Sequence, residues 1–295
     1  MGAIASPSVR KLAAERGIDI DALALQLGRE TIVREDVLGP TGPAAPSGAL
    51  RYWDVDHAEW GTVRIEPLNR MAVVAADNLT AAQGLIPAVT HHDSADMSRI
   101  EATRASLKAE GKRLTALSFH VAALARCLRE FPRFNASLSK DGKSLILKDY
   151  VHIGIAVDTP YGLAVPVVRD AENLSLSENG EAIRDLAGRA QTRKLRPHEL
   201  GGASMTISNL GGIGGEAFTP IVNPPEVAIL GITRTEVRPK WNGEDFLPVP
   251  MAPLSLSYDH RVINGADAAR FMERLRALLA DPDDLLVGNV RRNRT

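Results

Sequence analysis

The segment Tyr258-Asp259-His260-Arg261-Val262-Ile263-Asn264-Gly265 holds the residues best placed for chemistry. An apolar strand pattern, Leu254–Tyr258, runs directly into Asp-His-Arg, and a helical pattern opens after Asn264-Gly265. A histidine at a strand-to-helix junction can project into a cleft while the strand holds its backbone. Imidazole, with an unperturbed pKa of about 6.5, takes up a proton near neutral pH. Asp259, Arg261 and Asn264 are neighbours able to fix its tautomer and orientation. Taken alone, the segment reads more simply as a surface histidine satisfied by those neighbours.

Three other groups invite a chemical reading. His91-His92-Asp93 offers metal ligands, with His91 and Asp93 on one strand face, but no distant partner is evident and a polar strand face is the simpler account. Asn209-Leu210-Gly211-Gly212-Ile213-Gly214-Gly215 is glycine-dense and follows a strand. Its spacing is not G-x-G-x-x-G, no Walker lysine is present, and Phe218-Thr219-Pro220 breaks any following helix. A tight, close-approach backbone segment is expected there, with Ser208 as a strand-end residue capping it. Cys127 is the single cysteine, which excludes an intrachain disulfide framework and a cysteine-rich zinc module.

The elements that must carry these residues alternate between helix and strand patterns. Asn69–Gln83, Leu117–Leu128, Ser177–Arg193 and a last helix from near Asn264, closed by Pro282, show helical spacing. Ser98-Arg99-Ile100-Glu101 matches a capping box opening a further helix. Strands are expected at Ile86–Asp93, Leu145–Leu147, Val151–Val157, Leu163–Val168, Ala203–Ser208, Glu226–Ile232 and Leu254–Tyr258. The 145–147 strand should turn back on 151–157, and the short connections predict a mixed sheet in an α/β sandwich. Ahead of this lies a small unit, 6–38, with Ser6 as N-cap, Pro7 in the first turn, Gly17 as the stop and a second short helix at Arg34–Leu38. Residues 39–62 read as a linker, with three prolines and three glycines in 39–50. Residues 63–288 form the large domain, and 289–295 a basic tail.

Composition limits the function classes. The chain has 295 residues, 44% hydrophobic and 24% charged, with Lys+Arg 35 against Asp+Glu 36. That balance gives no basic field for nucleic acid. No apolar run reaches the roughly 18 residues of a membrane span, and the N-terminus lacks a secretory pattern. A soluble intracellular protein is the expectation.

Leu254 to Ala266 resembles the D-H-R-x-x-[DN]-G signature of the dihydrolipoamide acyltransferases, the core subunits of 2-oxoacid dehydrogenase complexes. Two further blocks agree in order: Glu130-Phe131-Pro132 with Phe134-Asn135-Ala136 and Gly154–Pro160, then Thr206–Gly211 with Phe218–Val222 and Pro225–Gly231. Pro7–Ala13, Gly17-Ile18-Asp19 and Glu35–Leu38 resemble the peripheral subunit-binding domain that precedes this catalytic domain. The resemblance implies a chloramphenicol-acetyltransferase-like fold and acyl transfer from S-acyl-dihydrolipoamide to coenzyme A, acetyl in the branch serving pyruvate dehydrogenase. It assigns His260 as general base, Ser208 as oxyanion donor and Asn264 as an ordering residue, and it calls for no metal. It implies a homotrimer with His260 and Ser208 contributed by different subunits, and in many members a cubic or icosahedral core closed by apolar C-terminal residues. Leu285-Leu286-Val287 would be those residues here, and the tail after them is expected to hinder closure. The implied partners are a 2-oxoacid decarboxylase, dihydrolipoyl dehydrogenase and a lipoyl domain. The lipoyl domain is expected on another domain or chain, because no Asp-Lys pair occurs here. The chain departs from the pattern at 25–31, where Thr31 stands at the partner-contacting arginine; Arg10 and Arg29 are the remaining candidate contacts. Two rival readings are a non-catalytic scaffold, which the presence of His260 opposes, and a stand-alone acetyltransferase of the chloramphenicol type, which would show histidine at Asp259.

Overall fold

A computed structural model of the chain describes residues 3–27, 30–38, 55–112 and 114–286. The chain divides into two compact units, Met1–Pro67 and Leu68–Thr295. The predicted linker over 39–54, the candidate contact Arg29, Val287 and the basic tail at 289–295 lie outside the described residues.

The small unit runs β1 (Ile4–Ala5), α1 (Pro7–Glu15), α2 (Ile20–Leu27), β2 (Thr31–Ile32) and α3 (Arg34–Leu38). Ser6 Oγ accepts the Val9 amide and Pro7 fills the first turn, where its missing N–H costs nothing. Gly17 ends the first helix region at φ 64°, a conformation that suits glycine. Ile20 and Leu23 after it sit on a helix, α2, that was not expected from the sequence. β1 and β2 pair in parallel, and Val9, Ala13, Ile20, Ile32 and Val37 close a small core beneath them.

The large unit begins with α4 (Arg70–Leu85), β3 (Ala88–Asp96), α5 (Ser98–Ala109), α6 (Ala116–Glu130), β4 (Ala136–Leu138) and β5 (Leu145–Leu147). It continues with β6 (Ile153–Thr159), β7 (Gly162–Ala164), β8 (Val167–Val168), α7 (Leu176–Gln191), β9 (Met205–Asn209) and β10 (Ala228–Ile232). β11 (Glu236–Trp241), β12 (Phe246–Asp259), α8 (Gly265–Ala280) and α9 (Asp283–Leu286) complete it. Among the described residues, one eight-stranded mixed sheet organises the unit. β6, β9 and β10 run parallel, and β12 runs against β10 with β3 on its other side. Side chains alternate across a strand. Ile207, Leu230 and Leu256 therefore enter the core shared with α6 and α8, while Thr206, Ser208, Gly231, Ser255 and Ser257 form a small, polar opposite face.

Several expectations need correction. Ser98 is the first residue of α5 and no side chain caps that helix from Met97. Asp96 instead accepts the Ser98 amide and Glu101 pairs with Arg104, so the box residues are used otherwise. The reciprocal box lies at Ser175 and Glu178, opening α7. β5 does not turn back on β6; it pairs with β4 as a separate hairpin. The last strand is longer than foreseen because Pro248, Pro250 and Pro253 mask its pattern, and β11 escaped notice for the same reason at Pro239. Pro239 and Pro248 face each other, so their missing donors fall at one position of the ladder. Leu285, expected at a contact between trimers, is buried in its own core, leaving Leu286 exposed.

Candidate active site

His260 follows the last residue of β12, in the turn that leads to α8. Its position is over-determined. The Asp259 amide donates to Val227 O at 2.8 Å and the His260 amide to Pro87 O at 3.1 Å. Asp259 is buried, and its carboxylate takes the Arg261 guanidinium through Nε and Nη2 at 2.9 and 2.7 Å. It also takes the Arg261 amide at 3.0 Å, which closes the turn over itself. That carboxylate holds the Arg261 pKa above its ordinary value. The His260 ring stays exposed, with the Tyr258 ring 5.9 Å away. A rigid backbone thus presents a free imidazole to whatever occupies the space outside the strand end.

Asn264 caps α8: Oδ1 accepts the Asp267 amide at 2.9 Å, which leaves the amide nitrogen of its side chain to face solvent or a bound molecule. Its role in the turn is therefore to start the helix that fixes the His260 segment from the other side.

Ser208 lies on β9, half-buried on the small polar face. It belongs to one cross-sheet row, Ala156, Ser208, Gly231, Ser255 and His92. Alanine and glycine flank it, so neither strand neighbour covers the hydroxyl. The Phe218 ring rests on Gly231, where a Cβ would come within 2.7 Å of it. Beyond Ser208 the glycine segment forms a tight turn: Asn209 Oδ1 accepts the Gly211 amide, and Leu210 O accepts from Ile213 and Gly214. Gly214 and Gly215 adopt φ of 145° and 93°, which explains the residue type. The segment continues to β10 without a helix, as its spacing predicted.

The register separates the two candidates. Ser208 is level with Ser255, two strands away, and His260 lies five positions beyond Ser255. At about 3.3 Å per residue and 4.8 Å between strands, that is roughly 16 Å along the sheet and 10 Å across it. One protomer therefore cannot bring Ser208 and His260 to the same reacting atom.

The remaining candidates have other partners. His92 Nδ1 contacts Ser255 Oγ at 2.9 Å, and Asp93 faces Arg276 at 3.3 Å. Among the described residues no group of three or more His, Cys, Asp or Glu side chains could hold a metal ion. Burial pushes the Cys127 thiol up to about 12, out of reach of nucleophilic chemistry at neutral pH. Arg10 ties down β1 by donating to Ala3 O at 2.7 Å and Ala5 O at 3.3 Å, with its side chain at the surface, and Thr31 is exposed on β2.

A cluster that the sequence did not suggest lies under the polar face. The buried Glu226 carboxylate accepts from Thr206 Oγ1 at 2.9 Å and Asn223 Nδ2 at 3.0 Å through one oxygen, while its second oxygen is buried without a partner. Burial pushes the Glu226 pKa up, against the Asn223 and Thr206 donors and the charge of Lys148. Lys148 is itself held below its ordinary value by burial and donates to Ala203 O.

The fold and the strand-end histidine define an acyltransferase domain, and the chain belongs to the family described as 2-oxoacid dehydrogenases acyltransferase (catalytic domain), matched over residues 61–287. Residues 3–38 match the e3 binding domain. The chain is 44% identical, over 96% of its length, to the dihydrolipoyllysine-residue acetyltransferase component of the pyruvate dehydrogenase complex of Pseudomonas aeruginosa. It is 45% identical to the Azotobacter vinelandii component of the same description, over 94% of its length. It spans about half of each relative, 55% and 46%. Among solved structures, an Azotobacter vinelandii dihydrolipoamide acetyltransferase, studied for the role of a serine, a histidine and an asparagine in its catalytic mechanism, superimposes with a TM-score of 0.77 at 48% identity. That match covers 79% of this chain and 98% of the other. The cubic core of a pyruvate dehydrogenase multienzyme complex matches with the same TM-score, identity and coverage.

Proposed function

We propose that the chain transfers an acetyl group between dihydrolipoamide and coenzyme A within a pyruvate dehydrogenase complex. The observation that carries this is the placement of His260, exposed on a turn anchored at Asp259, His260 and Arg261, in a chain whose relatives bear that description. The spacing supports the site. The serine, histidine and asparagine studied in the Azotobacter vinelandii enzyme are separated by 52 and 4 positions, as are Ser208, His260 and Asn264.

The chemistry follows from the pKa of a thiol, about 8.5, since only the thiolate is a strong nucleophile. His260 takes the proton of the coenzyme A thiol, and the thiolate attacks the thioester carbonyl of S-acetyl-dihydrolipoamide. The tetrahedral oxyanion accepts a hydrogen bond from Ser208. Collapse breaks the bond to the lipoyl sulfur, which takes the proton back from the His260 imidazolium. Asn264 offers its side-chain amide nitrogen beside this path and starts α8. The separation of Ser208 from His260 within one protomer supports a site shared between neighbours of a homotrimer. Leu286 is the apolar residue left for contacts between such trimers, and the basic tail at 289–295 would hinder their closure into a larger core. The lipoyl group arrives on another domain or chain. The 3–38 module docks the decarboxylase and dihydrolipoyl dehydrogenase subunits, with Arg10 and Arg29 as its charged contacts. The reading is tested by assaying purified protein with acetyl-CoA and dihydrolipoamide against His260→Ala. Equal rates would overturn it.

A further inference from the structure

Ser208 has no strand neighbour large enough to hold it, yet an oxyanion donor must be fixed to within fractions of an ångström. The nearest constraint on the same face of β9 is Thr206, two residues earlier and almost fully buried. Its hydroxyl is spent on Glu226, 2.9 Å away. The same carboxylate oxygen holds Asn223, and Asn223 Oδ1 in turn accepts from Asn78 of α4 at 3.2 Å. One buried oxygen thereby joins the strand that carries Ser208 to the end of the segment that leaves it and returns as β10. Room for this is made at Gly154 on β6, where a Cβ would come within 2.5 Å of Thr206 Oγ1. A buried carboxylate is costly unless it is used, and nothing in the proton transfer uses this one.

We propose that Glu226 is a positioning residue for acyl transfer, acting through Thr206 to fix the Ser208-bearing stretch of β9. This deepens the function proposed above and rests on the serine's role there.

The test is a cycle of kinetic measurements on the intact chain. Glu226→Ala and the near-isosteric Thr206→Val should each lower kcat by about tenfold or more, within the ~100-fold that a small misplacement can cost, with KM for both substrates unchanged. Glu226→Gln, which keeps an oxygen for both donors, should hold kcat within about threefold of the parent. In a Ser208→Ala background, Glu226→Ala and Thr206→Val should lower kcat by less than about twofold, because residues acting as a unit are not additive. A loss from Glu226→Ala that is as large without the serine as with it would overturn the inference, as would a Gln variant no better than Ala. An unchanged kcat in Glu226→Ala beside a crippled Ser208→Ala would remove this inference alone. An unchanged kcat in Ser208→Ala would remove the serine's role and the inference together.

Discussion

His260 owes its exposure to the way β12 ends. Three backbone amides and the ion pair of buried Asp259 with surface Arg261 fix the turn, so the imidazole needs no support of its own. His260→Ala should therefore leave the fold intact and lower kcat by about 10²–10⁴, the usual range for a general base, with circular dichroism unchanged. Ser208→Ala should lower kcat by about 10²–10³ with little change in KM, as for other oxyanion donors, in the same steady-state assay. The placement of His260 was legible in the sequence because strand, turn and helix cap are each written locally around it, whereas its role rested on the family pattern. Ser208 was not legible in that way: residue by residue it is a strand-end serine, and only the family pattern marks it. Glu226 was missed by both routes. Its burial depends on a threonine twenty residues earlier and an asparagine three residues earlier, a meeting that only the sheet register creates.

At the scale of elements, helices declared themselves better than strands. α6 carries its apolar face at regular spacing, and the predicted Leu117–Leu128 lies within it, extended to Ala116 and Glu130. β11 and the first half of β12 did not, because Pro239, Pro248, Pro250 and Pro253 look like breaks until the pairing of β11 with β12 is seen, with Pro239 opposite Pro248. The Ser98 box failed for a physical reason: Asp96, two residues earlier, takes the amide first. Two predictions belong here. α6 buries His120 as the neutral form, its Nδ1 donating to Ala116 O at 2.8 Å; burial holds its pKa below the ordinary 6.5, and the hydrogen bond opposes this only in part. The unfolded chain therefore binds the proton more readily, and stability should fall as pH drops below about 6.5 toward the folded value. Urea unfolding at pH 7.5 and 5.5 should show this loss, and His120→Leu should show a smaller one. On β6, Gly154→Ala places a methyl against Thr206 Oγ1 and Val165 Cγ1. It should destabilise by about 1–3 kcal/mol and lower Tm in calorimetry.

The whole molecule sets the two candidate groups on different ends of one sheet. That separation is the feature no local pattern announces, since it follows from β9, β10 and β12 lying in register with β12 reversed. On the proposed function it turns a list of residues into a statement about assembly: the reaction would need two copies of the chain, one offering the imidazole and its neighbour the hydroxyl. The direct measurement is complementation. His260→Ala and Ser208→Ala proteins, each nearly inactive, are denatured together in equal amounts and refolded as mixed trimers. With the site shared between neighbours, each site has an even chance of a sound histidine and, independently, of a sound serine, so activity should return to about one quarter of the parent value. A mixture no more active than its two components would contradict the shared site and the acyl-transfer account built on it.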